Sequence, residues 1–553
     1  MTINKNKKFS VEELETIIYN AANQFHGNGD MQNFDLLYVA IPTIMLKRLL
    51  DTREDIVNSI LIPYSKEYDV SLEEAFEDNK SQFFKILYTK NCSNYFFVTY
   101  QDIIHFSDND TAEEITLKLG PDSSVILKTR AKNKIEFLEE VANSFSQKII
   151  ADIFKQSRYF SLFLNDKLGI TDSKVLLGSF SECHFGENIT TDIFSQAYIF
   201  IISKFASAGG KKGGEFFTPD ELCQLVVECL EPKLIIGEPT NICDIASGSG
   251  TFLIAMAMYI SKHEGYEKAR TNLHVYMQEK ESLTLMLGEV GLLMTGFEKI
   301  NSYCANTLSE FDDNIGQYLP GAKINDGSIF KGMDYFVGNP PYGSEILGKD
   351  KNGNENPTYQ AVLNSPNDIR WKNWGFPARS HLEWFFTQTD IELLNENGRG
   401  ALILPTGVLH KNTSRNKMLE MDIIEGVILL PKQMFQTTPI QTCIVFFNKN
   451  KKASDKGRVF MIDASRSSKK VGKWNRIDNQ LISQIYINRE IIEGISIFVT
   501  LEDILSKNGT IDPIRYLSII DTEEKIDIIA VEKQIDDIVS KLFYKIYPQK
   551  KEA

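Results

Sequence analysis

Cysteine, basic charge and long apolar runs are all scarce in this sequence of 553 residues. The seven cysteines are scattered, and none belongs to a CxxC pair or a Cys/His spacing typical of a metal site, so we expect no bound metal. No apolar run approaches the roughly 20 residues that span a bilayer, and no apolar segment follows the basic residues at the start. These absences favour a cytoplasmic protein with no membrane contact.

Acidic residues outnumber basic ones by 74 to 60, which gives a net charge of -14. A protein that neutralises many phosphates alone normally carries a basic surplus. If this chain acts on nucleic acid, we therefore expect a partner to supply much of the affinity. Two local basic clusters, at residues 448–452 and 467–474, are either nucleic-acid contacts or, more commonly for such runs, solvated loop faces.

The first part of the chain predicts a helical domain over residues 1–180. Ser10 is a plausible N-cap, and it is followed by apolar residues at helical spacing that share one face. A second apolar helical stretch, over residues 33–51, is predicted to be interrupted or kinked at Pro42.

From residue 241 short apolar strands alternate with longer helical segments, which predicts an α/β fold with a mostly parallel, Rossmann-like sheet over a domain at 181–450. The predicted strands are TNICDIA, LHVYMQE, DYFVGN, GALILPT, GVILLP and TCIVFFN. Residues 451–553 form a small C-terminal extension. Its last segment, residues 521–547, predicts a helix that contacts a partner or caps its own domain.

A glycine-rich turn follows the first predicted strand in NICDIASGSGTFLIAM. Gly248 and Gly250 would let the backbone approach a ligand beyond the carboxyl ends of the strands. A dinucleotide site would have a third glycine at Leu253, and the acidic Asp244 would suit an ammonium group better than a pyrophosphate. The turn is therefore either a simple strand-to-helix connection or a site for a cofactor with an amino-acid end, such as S-adenosylmethionine.

Two flanking stretches extend this candidate site. Glu279 ends the second strand, where its carboxylate could accept two ribose hydroxyls or act as a helix N-terminal charge. Upstream, GGEFFTPDEL predicts a capping box with Thr218 as N-cap, Pro219 at N1 and Glu221 at N3. The aromatic residues at 216–217 lie outside that box and could close over the cofactor.

The strand DYFVGN runs directly into Asn339-Pro340-Pro341-Tyr342. The exocyclic amine of adenine or cytosine is a poor nucleophile because its lone pair is delocalised into the ring. Two acceptors aimed at its N–H bonds, the Asn339 side-chain carbonyl and the Pro340 backbone carbonyl, would localise that pair. The prolines fix the backbone, and Tyr342 would stack on a flipped base. A merely rigid turn would leave the asparagine and tyrosine unexplained.

These motifs, in this order, resemble the DNA adenine-N6 methyltransferase (modification) subunit of type I restriction-modification systems. The resemblance covers roughly residues 10–450. The stretches that carry it are LETIIYNAANQFHGNGDMQNF, IMLKRLLD, GGEFFTPDEL, DIASGSGTFL, GNPPYGS, GRGALILPTGVL and VILLPKQMFQTTPIQTCIVFF.

The resemblance implies a role for individual residues of the site. It implies that Asn339, Pro340, Pro341 and Tyr342 act on a flipped adenine. The residues implied for the S-adenosylmethionine site are Glu215, Phe217, Thr218, Pro219, Asp244, Ala246, Gly248, Ser249, Gly250, Thr251, Glu279 and Asn306.

The chain departs from the family pattern at three points. Ile245 stands where proline often follows the motif aspartate, and the turn should survive this change. Asp326 competes with Asn306 as the contact to the cofactor adenine, and INSYCANTL favours Asn306 because it predicts a strand. Phe435 is the candidate aromatic against the flipped base, and it is equally compatible with a core position.

The same family implies the partners. They are double-stranded DNA, a separate specificity subunit that carries target recognition, a second copy of this chain joined through that subunit, and a restriction subunit. We accordingly expect the chain alone to bind DNA weakly, and the sequence lacks a Walker A motif for an ATP-driven nuclease. Rival hypotheses are methylation of cytosine N4, RNA guanine or protein glutamine, and a non-catalytic scaffold that keeps the fold.

Overall fold

The structure is a computed structural model. It describes residues 8–23, 33–72, 74–79, 180, 183–186, 193, 196–201, 218–297, 299–324, 327–342, 349, 353, 355–378, 381–410, 413–435, 440–471 and 474–517. The aromatic stretch at 216–217, the helix predicted at 521–547, and the candidates Glu215, Phe217 and Asp326 lie outside these residues.

A single mixed sheet forms the centre of the described part of the chain. Its strands are β1 (Thr240–Asp244), β2 (Leu273–Glu279), β3 (Ile300–Cys304), β4 (Met333–Gly338), β5 (Leu394–Pro405), β6 (Ile424–Leu429), β7 (Thr442–Asn448), β8 (Arg458–Asp463) and β11 (Ser496–Thr500). Strands β9 (Ser468–Val471) and β10 (Trp474–Ile477) form a separate hairpin. The sheet order is β11-β8-β6-β7-β5-β4-β1-β2-β3.

Strand directions bring most carboxyl ends to one edge. The pairs β1-β2, β1-β4, β2-β3, β4-β5 and β6-β8 are parallel, which confirms the mostly parallel sheet. Strand β7 pairs antiparallel with both β5 and β6, and β11 pairs antiparallel with β8. Strands β1 to β6 and β8 therefore all end at the same edge, which we call the site edge.

Helices cover both faces of this sheet. The α-helices of the described residues are α1 (Val11–Asn23), α2 (Asn33–Ile56), α3 (Ile62–Tyr68), α4 (Asp220–Leu230), α5 (Thr251–Glu264), α6 (Tyr266–Asn272), α7 (Ser282–Met294), α8 (Pro357–Leu363), α9 (Ile369–Lys372), α10 (Leu382–Leu393), α11 (Thr413–Glu420), α12 (Asn479–Asn488) and α13 (Leu501–Ser506). None of these combines the length and apolar character needed to cross a membrane.

Alternation along β1 separates two hydrophobic cores. Ile242 packs with the residues of α4, α5, α7 and α12, whereas Cys243 packs with those of α10 and α11 on the other face. Successive side chains of a strand point to opposite faces, and both faces are covered here, so the whole of β1 is buried. This explains why every residue of the strand is buried, rather than every second one.

The N-terminal helices pack on the first of these cores. Leu14 of α1 and Leu50 of α2 belong to it. The predicted N-cap is confirmed, since Ser10 and Glu13 exchange reciprocal backbone-to-side-chain hydrogen bonds of 3.1 and 3.2 Å. The predicted interruption at Pro42 is wrong, because α2 continues through it.

Candidate active site at the carboxyl edge of the sheet

The turn after β1 depends on glycine at two positions. Gly248 and Gly250 have φ angles of 51° and 73°, in the left-handed region that other residues rarely adopt. A Cβ atom on Gly250 would also lie 2.8 Å from the Cα of Gly288 in α7. The turn and the start of α5 are therefore packed directly against α7.

Asp244 ends β1 beneath this turn and is almost completely buried. Its Oδ1 accepts a hydrogen bond of 3.0 Å from the backbone N–H of Ala246. Burial raises the pKa of Asp244 to about 8, and the nearby carboxylate of Glu279 adds to the rise. An adjacent cation would favour the ionised form, so the carboxyl is suited to an ammonium group.

Glu279 ties the ends of β2 and β1 together. Its Oε2 accepts from the backbone N–H of Gly248 at 3.1 Å, and its Oε1 accepts from that of Glu281 at 3.0 Å. Glu281 is the N-cap of α7. Glu279 therefore also places a negative charge at the N-terminus of that helix, as the alternative prediction proposed. Each carboxylate oxygen keeps a further lone pair for a ligand hydroxyl, and the ribose role stays a prediction.

Small polar groups line the turn itself. The Ser249 and Thr251 hydroxyls lie 3.2 Å apart, and Ala246 is half-buried. The hydroxyl of Ser247 is buried and has no hydrogen-bond partner within the described part of the chain. An unsatisfied hydroxyl beside two left-handed glycines fits a ligand that supplies the missing partner.

Asn306 comes just after β3, so the prediction of a strand at this position is confirmed. Its Nδ2 donates a hydrogen bond of 2.9 Å to Thr358 in α8, and its Oδ1 accepts one of 3.1 Å from the Leu308 backbone. The side chain is thereby fixed next to the ends of β1 and β2. Its contact with the cofactor adenine stays a prediction.

The Asn-Pro-Pro-Tyr segment begins where β4 ends. Strand β4 lies beside β1, and a Cβ on Gly338 would be 3.2 Å from Asp244 Oδ1, so the loop starts directly against the cofactor candidate. The Tyr342 hydroxyl donates to Asn339 Oδ1 and is also 3.4 Å from the carbonyl of Ile403. Burial raises the pKa of Tyr342 well above its ordinary value, which keeps the hydroxyl protonated.

Thr218 holds the other side of the same amide. Asn339 Nδ2 donates a hydrogen bond of 3.0 Å to Thr218 Oγ1. The predicted capping box is wrong, because Pro219 is the N-cap of α4 and no side chain caps that end. The Pro219 carbonyl instead accepts from the N–H groups of Leu222 and Cys223, which leaves the Thr218 hydroxyl to Asn339.

Phe435 is 4% exposed and belongs to the hydrophobic core. The structure therefore favours the core alternative over the role against a flipped base.

Asp390 was not among the residues predicted for the site. It lies in α10, is 1% exposed, and has an Oδ1 with no hydrogen-bond partner among the described residues. Burial, and after it the carboxyl of Asp244, raises the pKa of Asp390 well above its usual range. A second buried carboxyl therefore lies within electrostatic range of Asp244, and the only sequence signal for it is an acidic residue within an otherwise buried helix.

These features meet at one edge: a glycine turn after β1, an acid after β2, an amide after β3 and Asn-Pro-Pro-Tyr after β4. Together with the sheet order they define the fold class of the S-adenosylmethionine-dependent methyltransferases. Within that class, the chain belongs to the N-6 DNA methylase family, whose model matches residues 189–525.

Individual relatives support this assignment. The chain is 28% identical over 390 residues to the methylase subunit of the type I restriction enzyme MjaVII of Methanocaldococcus jannaschii, covering 68% of this chain and 62% of the relative. It is 30% identical over 299 residues to the methylase subunit of the type I restriction enzyme HindI of Haemophilus influenzae, covering 52% and 59%. The matched regions thus span less than two thirds of either relative.

A solved structure shares the fold. The methyltransferase subunit of the type I restriction-modification system of Streptococcus thermophilus superposes with a TM-score of 0.67 and 19% identity, and the match covers 92% of this chain and all of that one.

Proposed function

We propose that this protein is the modification subunit of a type I restriction-modification system. It transfers a methyl group from S-adenosylmethionine to the exocyclic N6 amine of an adenine flipped out of DNA. The observation that carries the proposal is the Asn339 amide, which is held between Thr218 and Tyr342 next to the buried carboxyl of Asp244. Membership of the N-6 DNA methylase family supports adenine as the base.

The residues around the glycine turn suit S-adenosylmethionine. Asp244 would bind its ammonium group, Glu279 its ribose hydroxyls and Asn306 its adenine. The buried Ser247 hydroxyl, which lacks a partner among the described residues, supports a polar ligand in this turn. When bound, S-adenosylmethionine supplies an electrophilic methyl group attached to a sulfonium that is its own leaving group. The protein therefore needs no nucleophilic side chain for the transfer.

The Asn-Pro-Pro-Tyr loop makes the target amine more nucleophilic. A side-chain amide oxygen has two lone pairs, so Asn339 Oδ1 can accept one N–H of the amine while it still accepts from Tyr342. The Pro340 carbonyl would accept the second N–H. Both contacts strengthen as the nitrogen becomes tetrahedral, so they stabilise the transition state more than the ground state.

Pro340 and Pro341 keep that carbonyl in place. Each proline fixes φ and restricts the residue before it, and neither has an N–H to compete for acceptors. Pro340 is buried, which holds the loop against the sheet edge. The Tyr342 ring would stack on the flipped base, an interaction worth about 1 to 3 kcal/mol.

We further propose the partners that accompany this role: double-stranded DNA, a specificity subunit that selects the target, a second copy of this chain bound through that subunit, and a restriction subunit. Both curated relatives described above are methylase subunits of type I restriction enzymes, which supports this assembly. The net charge of -14 fits a chain whose DNA affinity is completed by a partner. The proposed location is the cytoplasm.

Methyl transfer by the reconstituted complex tests the function. The chain is purified with its cognate specificity subunit and incubated with duplex DNA and labelled S-adenosylmethionine, and the modified nucleosides are then identified. We expect N6-methyladenine from the wild type and none from Asn339→Ala, whose affinity for S-adenosylmethionine should be nearly unchanged. A product of N4-methylcytosine would assign the other base, and no transfer by the wild type would leave the scaffold hypothesis.

A further inference from the structure

We propose that Thr358 is a positioning residue for the cofactor: it holds the Asn306 amide so that the amide oxygen accepts a hydrogen bond from the 6-amino group of an adenine. The contact that suggests this role joins Asn306 Nδ2 to Thr358 Oγ1 at 2.9 Å, across 52 positions of the chain. The role makes the site selective for adenine over a purine with a 6-keto group. The proposal rests on the proposed function, because it takes S-adenosylmethionine as the ligand beside Asn306.

Asn306 is held in one orientation although it is only half-buried. Its backbone N–H donates to Glu310 Oε2 at 2.8 Å, and its backbone carbonyl accepts from the Glu310 N–H at 2.8 Å. Its side-chain Oδ1 accepts from the Leu308 N–H at 3.1 Å. These three contacts are local to one turn, whereas the contact with Thr358 comes from a separate helix. Both ends of the side-chain amide are therefore held before a ligand binds.

The partners of this amide set which of its ends carries the oxygen. A backbone N–H can only donate, so the end of the amide that faces Leu308 is the oxygen. A hydroxyl can accept, so the nitrogen end faces Thr358. An amide oxygen has two lone pairs, and the Leu308 contact uses one of them. The oxygen can therefore accept a second hydrogen bond from an N–H donor on a ligand.

Asn306 lies where the adenine of the cofactor is expected. The Thr307 hydroxyl donates to the Ile245 carbonyl at 2.5 Å, directly after β1. The Ala305 N–H donates to the Glu279 carbonyl at 3.1 Å, at the end of β2. The residue between them is therefore next to the turn after β1 and to the proposed ribose contact. Because the adenine is attached to the ribose, an amide in this position suits contact with the adenine.

Thr358 is itself anchored well enough to position another residue. It is 9% exposed, and its backbone N–H donates at 2.9 Å to the side chain of Asn356, the N-cap of α8. In the same connection between β4 and β5, Arg370 of α9 donates to the Thr307 carbonyl at 2.9 Å. Two helices of this connection thus contact the segment after β3. The orientation of Asn306 therefore depends on tertiary packing as well as on its own turn.

An amide oxygen in this position distinguishes a 6-amino from a 6-keto purine. The 6-amino group of adenine offers N–H donors that Asn306 Oδ1 can accept. The 6-keto group of hypoxanthine offers an oxygen, which would face Oδ1 without a hydrogen between them. A site that hydrogen-bonds one ligand rejects an analogue that leaves its polar groups unpaired. Without the Thr358 hydroxyl the amide can turn its nitrogen toward the keto oxygen, which weakens this selection.

Binding of S-adenosylhomocysteine and S-inosylhomocysteine tests this role, because the two compounds differ in the group at position 6 of the purine. Affinities are measured by calorimetry on the chain with its cognate specificity subunit, without DNA. We expect the wild type to prefer S-adenosylhomocysteine by roughly 5- to 150-fold, the range for a buried polar group left unpaired. Thr358→Val should bind S-adenosylhomocysteine roughly 3- to 10-fold more weakly and lower the preference at least about threefold.

Two variants control for general effects on the structure. Thr358→Ser keeps the hydroxyl and should restore both the affinity and the preference. Thr295→Val removes the hydroxyl of another buried threonine, which donates to the Leu292 carbonyl at 2.7 Å. Thr295 is the C-cap of α7, and since α7 begins at the site edge, its end lies at the opposite edge. This variant should change neither the affinity nor the preference.

A double-mutant cycle separates positioning of Asn306 from a general stabilisation of the site. If Thr358 acts through Asn306, Thr358→Val should have no further effect on affinity when Asn306→Ala is already present. Additive losses would overturn the proposal, and so would a Thr358→Val variant with the wild-type affinity and preference. Equal wild-type affinities for the two compounds would also overturn it.

Methyl transfer to DNA is measured separately on the same complex. A wild type that shows the expected Thr358 dependence but transfers no methyl group would reject the proposed function and keep the positioning role. A wild type that methylates adenine, but whose cofactor binding does not depend on Thr358, would reject the positioning role and keep the proposed function. A wild type that binds neither compound would overturn both.

Discussion

The side-chain amide of Asn339 donates a 3.0 Å hydrogen bond to the hydroxyl of Thr218, a residue 121 positions earlier in the chain. The oxygen of the same amide accepts a hydrogen bond from Tyr342. Because one side of the amide is held by an oxygen acceptor, its carbonyl side is directed away from Thr218. The orientation needed to accept an N–H from the substrate is therefore set before the substrate binds.

Thr218→Val should weaken catalysis more than binding. Valine has nearly the same shape as threonine but cannot accept the Asn339 N–H, and an unsatisfied buried donor costs about 1 to 3 kcal/mol. We expect kcat to fall roughly 5- to 150-fold, with the KM for DNA much less changed. Thr218→Ser keeps the hydroxyl and should restore most of the rate. An equal loss of affinity for S-adenosylmethionine would show that Thr218 serves the cofactor and not Asn339.

Cofactor binding should depend on pH through Asp244, whose pKa burial raises to about 8. The carboxyl must lose its proton to bind an ammonium group, so this interaction is complete only above that pKa and is lost as the pH falls. Calorimetry between pH 6 and 7.5 should show affinity for S-adenosylmethionine falling up to about tenfold per unit. Asp244→Asn should bind weakly and without this slope. A wild-type affinity that is flat with pH would contradict the ionised role.

Gly250→Ala tests two energetic costs of a side chain in the glycine turn after β1. One is the left-handed backbone conformation, and the other is the close approach of α7. Gly237 has a similar φ of 79° but open space around its Cβ position, so Gly237→Ala measures the left-handed conformation alone, about 1 to 2 kcal/mol. In Gly250→Ala the new Cβ would also lie 2.8 Å from the α7 backbone, and unfolding in urea should show a clearly larger loss. Equal losses would mean that α7 moves without cost.

Glu425 should stabilise the sheet through a buried charge network. Its carboxylate lies 3.1 Å from Arg399 and 3.3 Å from Arg489. Burial raises the pKa of Glu425, but the two guanidinium groups more than offset this, so the pKa is below its usual value. Removing one partner of a buried pair costs about 3 to 5 kcal/mol, and we expect Glu425→Gln to lose this in urea unfolding at pH 7.

The exposed Glu420→Gln is the matched control and should change the free energy of unfolding by less than about 0.5 kcal/mol. Because the pKa of Glu425 is lowered, its contribution to the free energy of unfolding should also depend on pH. Its contribution is present above the unfolded-state pKa and is lost as the pH falls through the folded-state pKa, so the difference between wild type and Glu425→Gln should shrink in acid. A difference that is constant with pH would exclude the ionised network.

The strands were predictable because each is a short apolar run with a clear end. All six strands predicted from sequence occur, and the segment before Asn306 is the strand β3. The glycines of the turn were predictable for the same local reason, since φ values of 51° and 73° require them. Strand direction was not predictable at β7, because an antiparallel insertion is set by pairing with β5 and β6 and not by the strand's own residues.

The contacts that complete the site could not be predicted from the sequence for the same reason. Thr218 and Pro219 matched a local capping pattern, but the hydroxyl is used by a residue far away in sequence. Asp390 is one acid in a helix, and its closeness to the Asp244 carboxyl depends on how that helix packs against the sheet. Phe435 could not be assigned to the flipped base or to the core until its neighbours were placed. Sequence patterns indicate local geometry, whereas these contacts form between segments that are distant in the sequence.

The antiparallel strand β7 has a consequence for how this fold can diversify. Since β6 and β7 are consecutive and pair antiparallel, the chain leaves β6 and re-enters β7 at the site edge. Met434 and Phe435, just after β6, are anchored in the core, and the turn after β1 lies on the other side of β4 in the sheet. We therefore expect changes of substrate preference to arise beyond these anchored residues, without altering the residues after β1 that we propose for the methyl donor.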